Sequence, residues 1–281
     1  MSAAATPAPT SHPTDGPLRT LDVSGTKPIP FVRQVGVELR KMVDTRAGLW
    51  LMVTIAVMTA LFVVLLFIFG DNGETDQRTF VNFLGTTSTP QGFLLPVLGI
   101  LLVTSEWSQR TVLVTFTLTP RRGFVIAAKT VAALVIGLAA LVLAMAFAAV
   151  AAVAADAPGA FDGFGVDDVA KFGLLQSLGV LQGLAFGLLF LNSAVAIVVF
   201  FVVPIVFNVL VNLISWLRDA APWIDLATAQ QPLIGVDTQT GLPVDVALGA
   251  EQWLHLATAT TIWIVVPIAI GMWRILRSEA K

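Results

Sequence analysis

The sequence predicts an all-α membrane protein with six transmembrane helices and both termini in the cytoplasm. An amphipathic interfacial helix precedes the first span, and a cytoplasmic helix joins the second span to the third. Three observations carry that prediction. The 281 residues are 56% apolar and 12% charged, against about 25% charged in soluble proteins. Six apolar stretches each approach or exceed the roughly 20 residues that cross a hydrocarbon core of about 30 Å. The basic residues are distributed unevenly between the two sides that those stretches define.

The first thirty residues carry Pro7, Pro9, Pro13, Pro17, Pro28 and Pro30 among Ala, Ser, Thr and Gly. Such a composition buries too little apolar surface to fold, and residues 1 to 30 read as a disordered cytoplasmic tail. From Phe31 to Arg46, Val32, Val35, Leu39, Met42 and Val43 form one helical stripe, with Arg33, Arg40, Lys41 and Asp44 on the other side. That pattern predicts a helix lying along the inner leaflet, its bases toward anionic headgroups.

The spans are expected at about 48 to 70, 89 to 105, 120 to 154, 171 to 192, 194 to 216 and 251 to 275. Only Leu191, Asn192, Ser193 and Ala194 separate the fourth from the fifth. With six spans the two ends share a side, and 13 of the 16 Lys and Arg residues fall on that side. The other side holds Arg78, Lys171 and Arg218 together with 12 of the 18 acidic residues. Positive charge marks the cytoplasmic face, so the chain is expected in the bacterial plasma membrane as a multi-pass protein with both ends inside. Trp50, Trp107, Trp216, Trp223, Trp253 and Trp273 fall at or near expected span ends, where an indole anchors at the interface. Trp263 alone falls in mid-span.

Between the second and third spans, Thr111 to Thr119 alternate in a strand-like way. A lone strand at the apolar edge leaves its backbone groups unpaired, so a helix is expected there. Thr119 as N-cap and Pro120 at the first helical position predict that the third span's helix starts at that point. Its first turns carry Arg121, Arg122 and Lys129, and Lys129 is expected to snorkel to the surface.

The order of a basic amphipathic helix, a first span, a second span ending in Glu106, a short helix closing in TPRRGFVIAAK and four more spans resembles the permease subunit of ABC-2 type transporters. The closest correspondence is Glu106 followed by Thr119, Pro120, Arg121, Arg122 and Lys129; Arg110 and Thr111 stand where that family usually has Gly-Thr. The resemblance implies an ABC-2 type transmembrane domain over 31 to 281. It also implies that the 104 to 122 loop is a coupling helix docking on a separate cytoplasmic ATPase, which the N-terminal helix contacts as well. Glu106, Trp107, Arg110, Arg121, Arg122, Arg40 and Lys41 are then the expected ATPase-coupling residues. For the arginines, simple determination of topology is an equal alternative. The resemblance further implies a substrate pathway between two permeases, a second copy or a paralogue, lined mainly by their second and fifth spans.

No P-loop pattern G-x-x-x-x-G-K-[ST] occurs, so ATP and magnesium are expected on the partner ATPase and no cofactor on this chain. HExxH and GxSxG are also absent, cysteine is missing, and the histidines are only His12 and His255. An enzyme with its own chemistry is not expected. The span centres lack Asp, Glu and His, which disfavours a proton-coupled secondary transporter. The expected pathway residues are Pro96, Phe201, Pro204, Phe207, Asn208 and Asn212. Asn208 and Asn212, four apart, either line a path or bond between helices. Pro96, Pro204 and Pro267 mark candidate kinks in the second, fifth and sixth spans. The 217 to 250 loop is expected on the outer side, with a short helix near Pro222 to Ala229. Its acidic residues fit cationic compounds, though charge topology alone produces the same excess. The alternative to a transporter subunit is a non-transporting assembly or stress-sensing protein that uses its cytoplasmic helices for docking.

Overall fold

The computed structural model describes residues 29–71, 77–109, 121–234 and 248–277. Among these residues the chain forms nine helices and no strand. They are α1 (Phe31–Asp44), α2 (Arg46–Phe69), α3 (Phe80–Ser108), α4 (Arg122–Ala155), α5 (Val166–Phe190), α6 (Ser193–Leu213), α7 (Ser215–Ile224), α8 (Leu226–Ile234) and α9 (Ala250–Arg277). Six of them, α2 to α6 and α9, are long and apolar enough to cross a membrane. The described helices belong to one unit, Phe31–Lys281; the proline-rich Met1–Pro30 forms another and lies almost wholly outside the described residues.

The helices differ from the expected spans mainly at their ends. Helix α3 begins at Phe80 rather than near 89, because Thr79 accepts the Asn82 N–H and caps the helix there. Helix α4 begins at Arg122, two residues after the expected start at Pro120. Arg121 is non-helical, with φ −78° and ψ 79°, and its carbonyl accepts the N–H of Phe124 and Val125. The helix expected over Thr111 to Thr119 lies outside the described residues, together with Arg110 and Pro120 on either side of it. Between α5 and α6 only Leu191 and Asn192 remain. Leu191 takes the left-handed conformation (φ 53°) and the Asn192 side chain caps α6 by accepting the Val195 N–H. The 217 to 250 loop contributes α7 and α8, two short helices where one was expected.

Helices α3 and α5 form the centre: 56% of the most apolar window of each is buried, against 17% for α2 and α6. Their contact is close because Gly99 of α3 and Gly183 of α5 face the opposite backbone. A Cβ on Gly183 would overlap the Pro96 carbonyl, and one on Gly99 the Val180 carbonyl. Gly179, Gly183 and Gly187 recur every four residues, the spacing that lets two helix backbones approach in a membrane.

At mid-height the packing is polar as well as apolar. The Gln91 amide of α3 donates to Thr59 Oγ1 of α2 (3.1 Å) and to the Ala140 carbonyl of α4 (3.2 Å), and accepts from Gln176 of α5. All three side chains are buried. Four helices are therefore tied together by buried hydrogen bonds. In α9, residues Thr261–Val265 form a π-helical turn just before Pro267. Proline supplies no N–H and crowds the preceding turn, and a wider turn accommodates both effects.

Candidate functional site

The face that α1 turns toward the bundle takes only part of the apolar stripe read from its sequence, Val35, Leu39 and Met42, and adds polar residues to it. Its buried residues are Gln34, Val35, Glu38 and Met42, while Val32 and Val43 are exposed. The helix is rotated so that a carboxylate points inward. Glu38 is 0% exposed, and a buried charge is tolerated only when paired and hydrogen-bonded.

Its partners come from α4 and from α1 itself. Glu38 Oε2 accepts from Lys129 Nζ of α4 at 2.6 Å, and Oε1 accepts from Lys41 Nζ at 2.8 Å and from the Gln34 amide at 3.4 Å. Glu106, in the last turn of α3, completes the network: its Oε1 accepts from Lys41 at 2.7 Å and from Lys129 at 3.1 Å. Lys129 also donates to the Leu102 carbonyl at 3.1 Å. Each ammonium thus bridges both carboxylates. Helix α1 is thereby clamped across the Glu106 end of α3 and the Lys129 turn of α4.

Lys129 therefore does not snorkel. It sits seven residues into α4, about 10 Å along the axis, and its side chain is only 6% exposed. The nearest anion is inward, at Glu38, so the ammonium turns that way. Burial by itself lowers the pKa of Lys41, but its hydrogen bonds to Glu106 and Glu38 outweigh it, and the group ends above its usual value of 10.5. A raised folded-state value stabilises fully below the unfolded value and is lost as pH rises through the folded one. The melting-temperature gap between wild type and Lys41→Met should therefore hold constant from pH 7 to about pH 10 and close above it, as read by thermal denaturation.

The expected coupling residues thus fall into two groups. Glu106 and Lys41 are occupied inside the molecule, and Trp107 is partly buried against the same core. Arg40 and Arg121 are exposed. Arg122 reaches across to the Ile275 carbonyl in the last turn of α9 (2.6 Å), and Arg274 donates to the Leu189 carbonyl at the end of α5. Both guanidiniums sit at helix C-termini, where backbone carbonyls and the helix dipole place partial negative charge. Glu38 and Gln34 were missed by the sequence reasoning. Glu38 stands three residues after Val35 and four before Met42, on the edge of the apolar stripe, and that spacing was the available signal.

Midway along the bundle a cavity of about 260 Å³ opens between α3, α5, α6, the α7–α8 junction and α9. Phe93, Phe186, Phe200, Phe201, Phe207 and Trp263 supply its aromatic wall. Of the expected pathway residues, Phe201, Pro204 and Phe207 line it. Pro96 is instead packed against Gly183. Asn208 and Asn212 lie on the exposed side of α6 and bond to each other, Asn212 Nδ2 donating to Asn208 Oδ1 at 3.2 Å. Trp263 sits in the π-helical turn and donates its indole N–H to the Ile224 carbonyl at 2.6 Å, which fixes its ring over the cavity.

Among the described residues no group of His, Asp and Glu is arranged to hold a metal. No family model matches the chain, and no curated protein matches it at a significant level.

Proposed function

We propose that this chain is the membrane-spanning permease subunit of an ATP-driven exporter of the ABC-2 type that its sequence resembles. It would act as a dimer with a second copy or a paralogue, in a bacterial plasma membrane with both termini inside. The observation that carries this reading is the four-charge clamp between α1, α3 and α4. An interfacial helix with only an anchoring role needs no buried carboxylate; one that transmits a displacement needs a rigid joint to the spans.

In this scheme a separate ATPase docks on the exposed bases of α1 and on the 104 to 122 segment. Closure of the ATPases on ATP displaces α1, and the clamp passes that displacement to α3 and α4. Helix α3 also contributes Phe93 to the cavity wall, so one helix links the clamp to the cavity. Phe201, Pro204 and Phe207 then stand on the export path.

The test is co-purification under mild detergent with the protein encoded beside it. The double variant Arg40→Glu with Arg121→Glu replaces two exposed charges, so it should fold and yet lose an ATPase that wild type retains. Retention of the ATPase by this variant, or its absence from wild type, would leave a non-transporting membrane subunit as the better account.

A further inference from the structure

From the aromatic cavity we infer the substrate class: a lipophilic organic cation. This rests on the permease reading for its physiological meaning, but the site itself is defined by the chain alone. Asp225 is the single charged side chain among the residues that line the cavity. It sits at the α7–α8 junction, and its Oδ2 accepts the N–H of Thr228 at 2.9 Å and the Thr228 hydroxyl at 2.7 Å, capping α8. Both bonds use the same oxygen. Among the described residues Oδ1 has no partner, and no basic side chain lines the cavity to neutralise it.

A carboxylate beside an aromatic wall, with no basic side chain among the lining residues, creates a region of negative potential. The ring faces of Trp263 and the phenylalanines add to it, because a π face carries partial negative charge and attracts cations within about 6 Å. Gln182 and Gln230 supply neutral polar atoms at the margin. An anion meets Asp225 as a like charge, and a neutral apolar compound gains nothing from it. A cation with an aromatic body satisfies both features. The cavity volume of about 260 Å³ suits a molecule of a few rings.

Two variants separate charge from space. Asp225→Asn retains an N-cap residue of nearly equal quality and removes only the charge. Gly92→Phe fills the cavity from α3, where an added Cβ meets nothing within 4 Å and glycine is a poor helix former in any case. The full-length chain, purified without an ATPase, is titrated with tritiated 1-benzylquinolinium. Wild type should show saturable binding that benzyltrimethylammonium displaces and 3-phenylpropionate does not. Binding should weaken about tenfold in Asp225→Asn and vanish in Gly92→Phe, each variant retaining the wild-type melting profile within a few degrees. Equal affinity in wild type and Asp225→Asn, saturable binding that survives Gly92→Phe, or no saturable binding to wild type each overturns the inference. Since no ATPase takes part, failure here leaves the permease reading standing if the ATPase co-purifies. Binding without a co-purifying ATPase fails that reading and retains the site.

Discussion

Lys129→Met is expected to destabilise the protein by about 3–5 kcal/mol, the cost of removing one partner from a buried ion pair. Glu38 would keep a hydrogen-bonded Lys41 but lose its shortest contact, the 2.6 Å bond to Lys129, while remaining 0% exposed. Glu106 would lose one of its two ammonium partners as well. The double variant Glu38→Gln with Lys129→Met removes one charge of each sign, so most of the loss should be recovered. Chemical denaturation in detergent micelles reads both, and a double variant no more stable than Lys129→Met would contradict a coupled pair. Arg40→Ala in the same assay should move stability by less than about 0.5 kcal/mol, as for other exposed positions. The contrast separates a joint in the fold from a surface charge.

Gly183→Val should be at least as damaging, and for a reason unrelated to charge. The Cβ would overlap the Pro96 carbonyl, and Pro96 belongs to a backbone segment that cannot shift without moving α3. Overpacking in a well-packed interior costs typically 1–3 kcal/mol, and a branched side chain pressed against fixed backbone falls at or above the upper end. Gly85→Ala in the same helix α3, where a Cβ meets nothing within 4 Å, should instead be neutral or mildly stabilising. Melting temperatures of the two variants, measured side by side, test whether the central helix contact is set by glycine. Similar losses in both would refute it.

The six apolar helices were legible because length and hydropathy are local properties, each readable within one window of sequence. Even the tight α5–α6 reversal at Leu191 and Asn192 was legible, from the two apolar runs on either side of it. The orientation of α1 about its own axis was not. Its apolar stripe ran from Val32 to Val43, and a lysine 91 residues away pairs with Glu38, so that the inward face keeps Val35, Leu39 and Met42 but leaves Val32 and Val43 exposed. Sequence periodicity registers only what a helix would bury in the absence of such a partner. The glycine spacing at 179, 183 and 187 was available but went unread, because each glycine by itself has several explanations.

The aromatic cavity divides in the same way. Phe201, Pro204 and Phe207 share a stretch of one helix and were selected together; the residues opposite them come from helices distant in sequence. Trp263 stood out as the one mid-span tryptophan. Its role depends on α7 presenting the Ile224 carbonyl to its indole, a contact across 39 residues. Asn208 and Asn212 were correctly placed on one face, yet that face is the outer one and they bond within the helix.

The clamp of Glu38, Lys41, Glu106 and Lys129 contains two positive and two negative groups. Translating one elementary charge through the full membrane potential involves about 2.3 kcal/mol per 100 mV. Translating all four together involves none, because their electrical work cancels. The joint itself therefore adds no voltage dependence to a shift that carries α1 with the spans; only charges outside it, such as Arg33 and Arg40 on α1, couple that shift to the membrane potential.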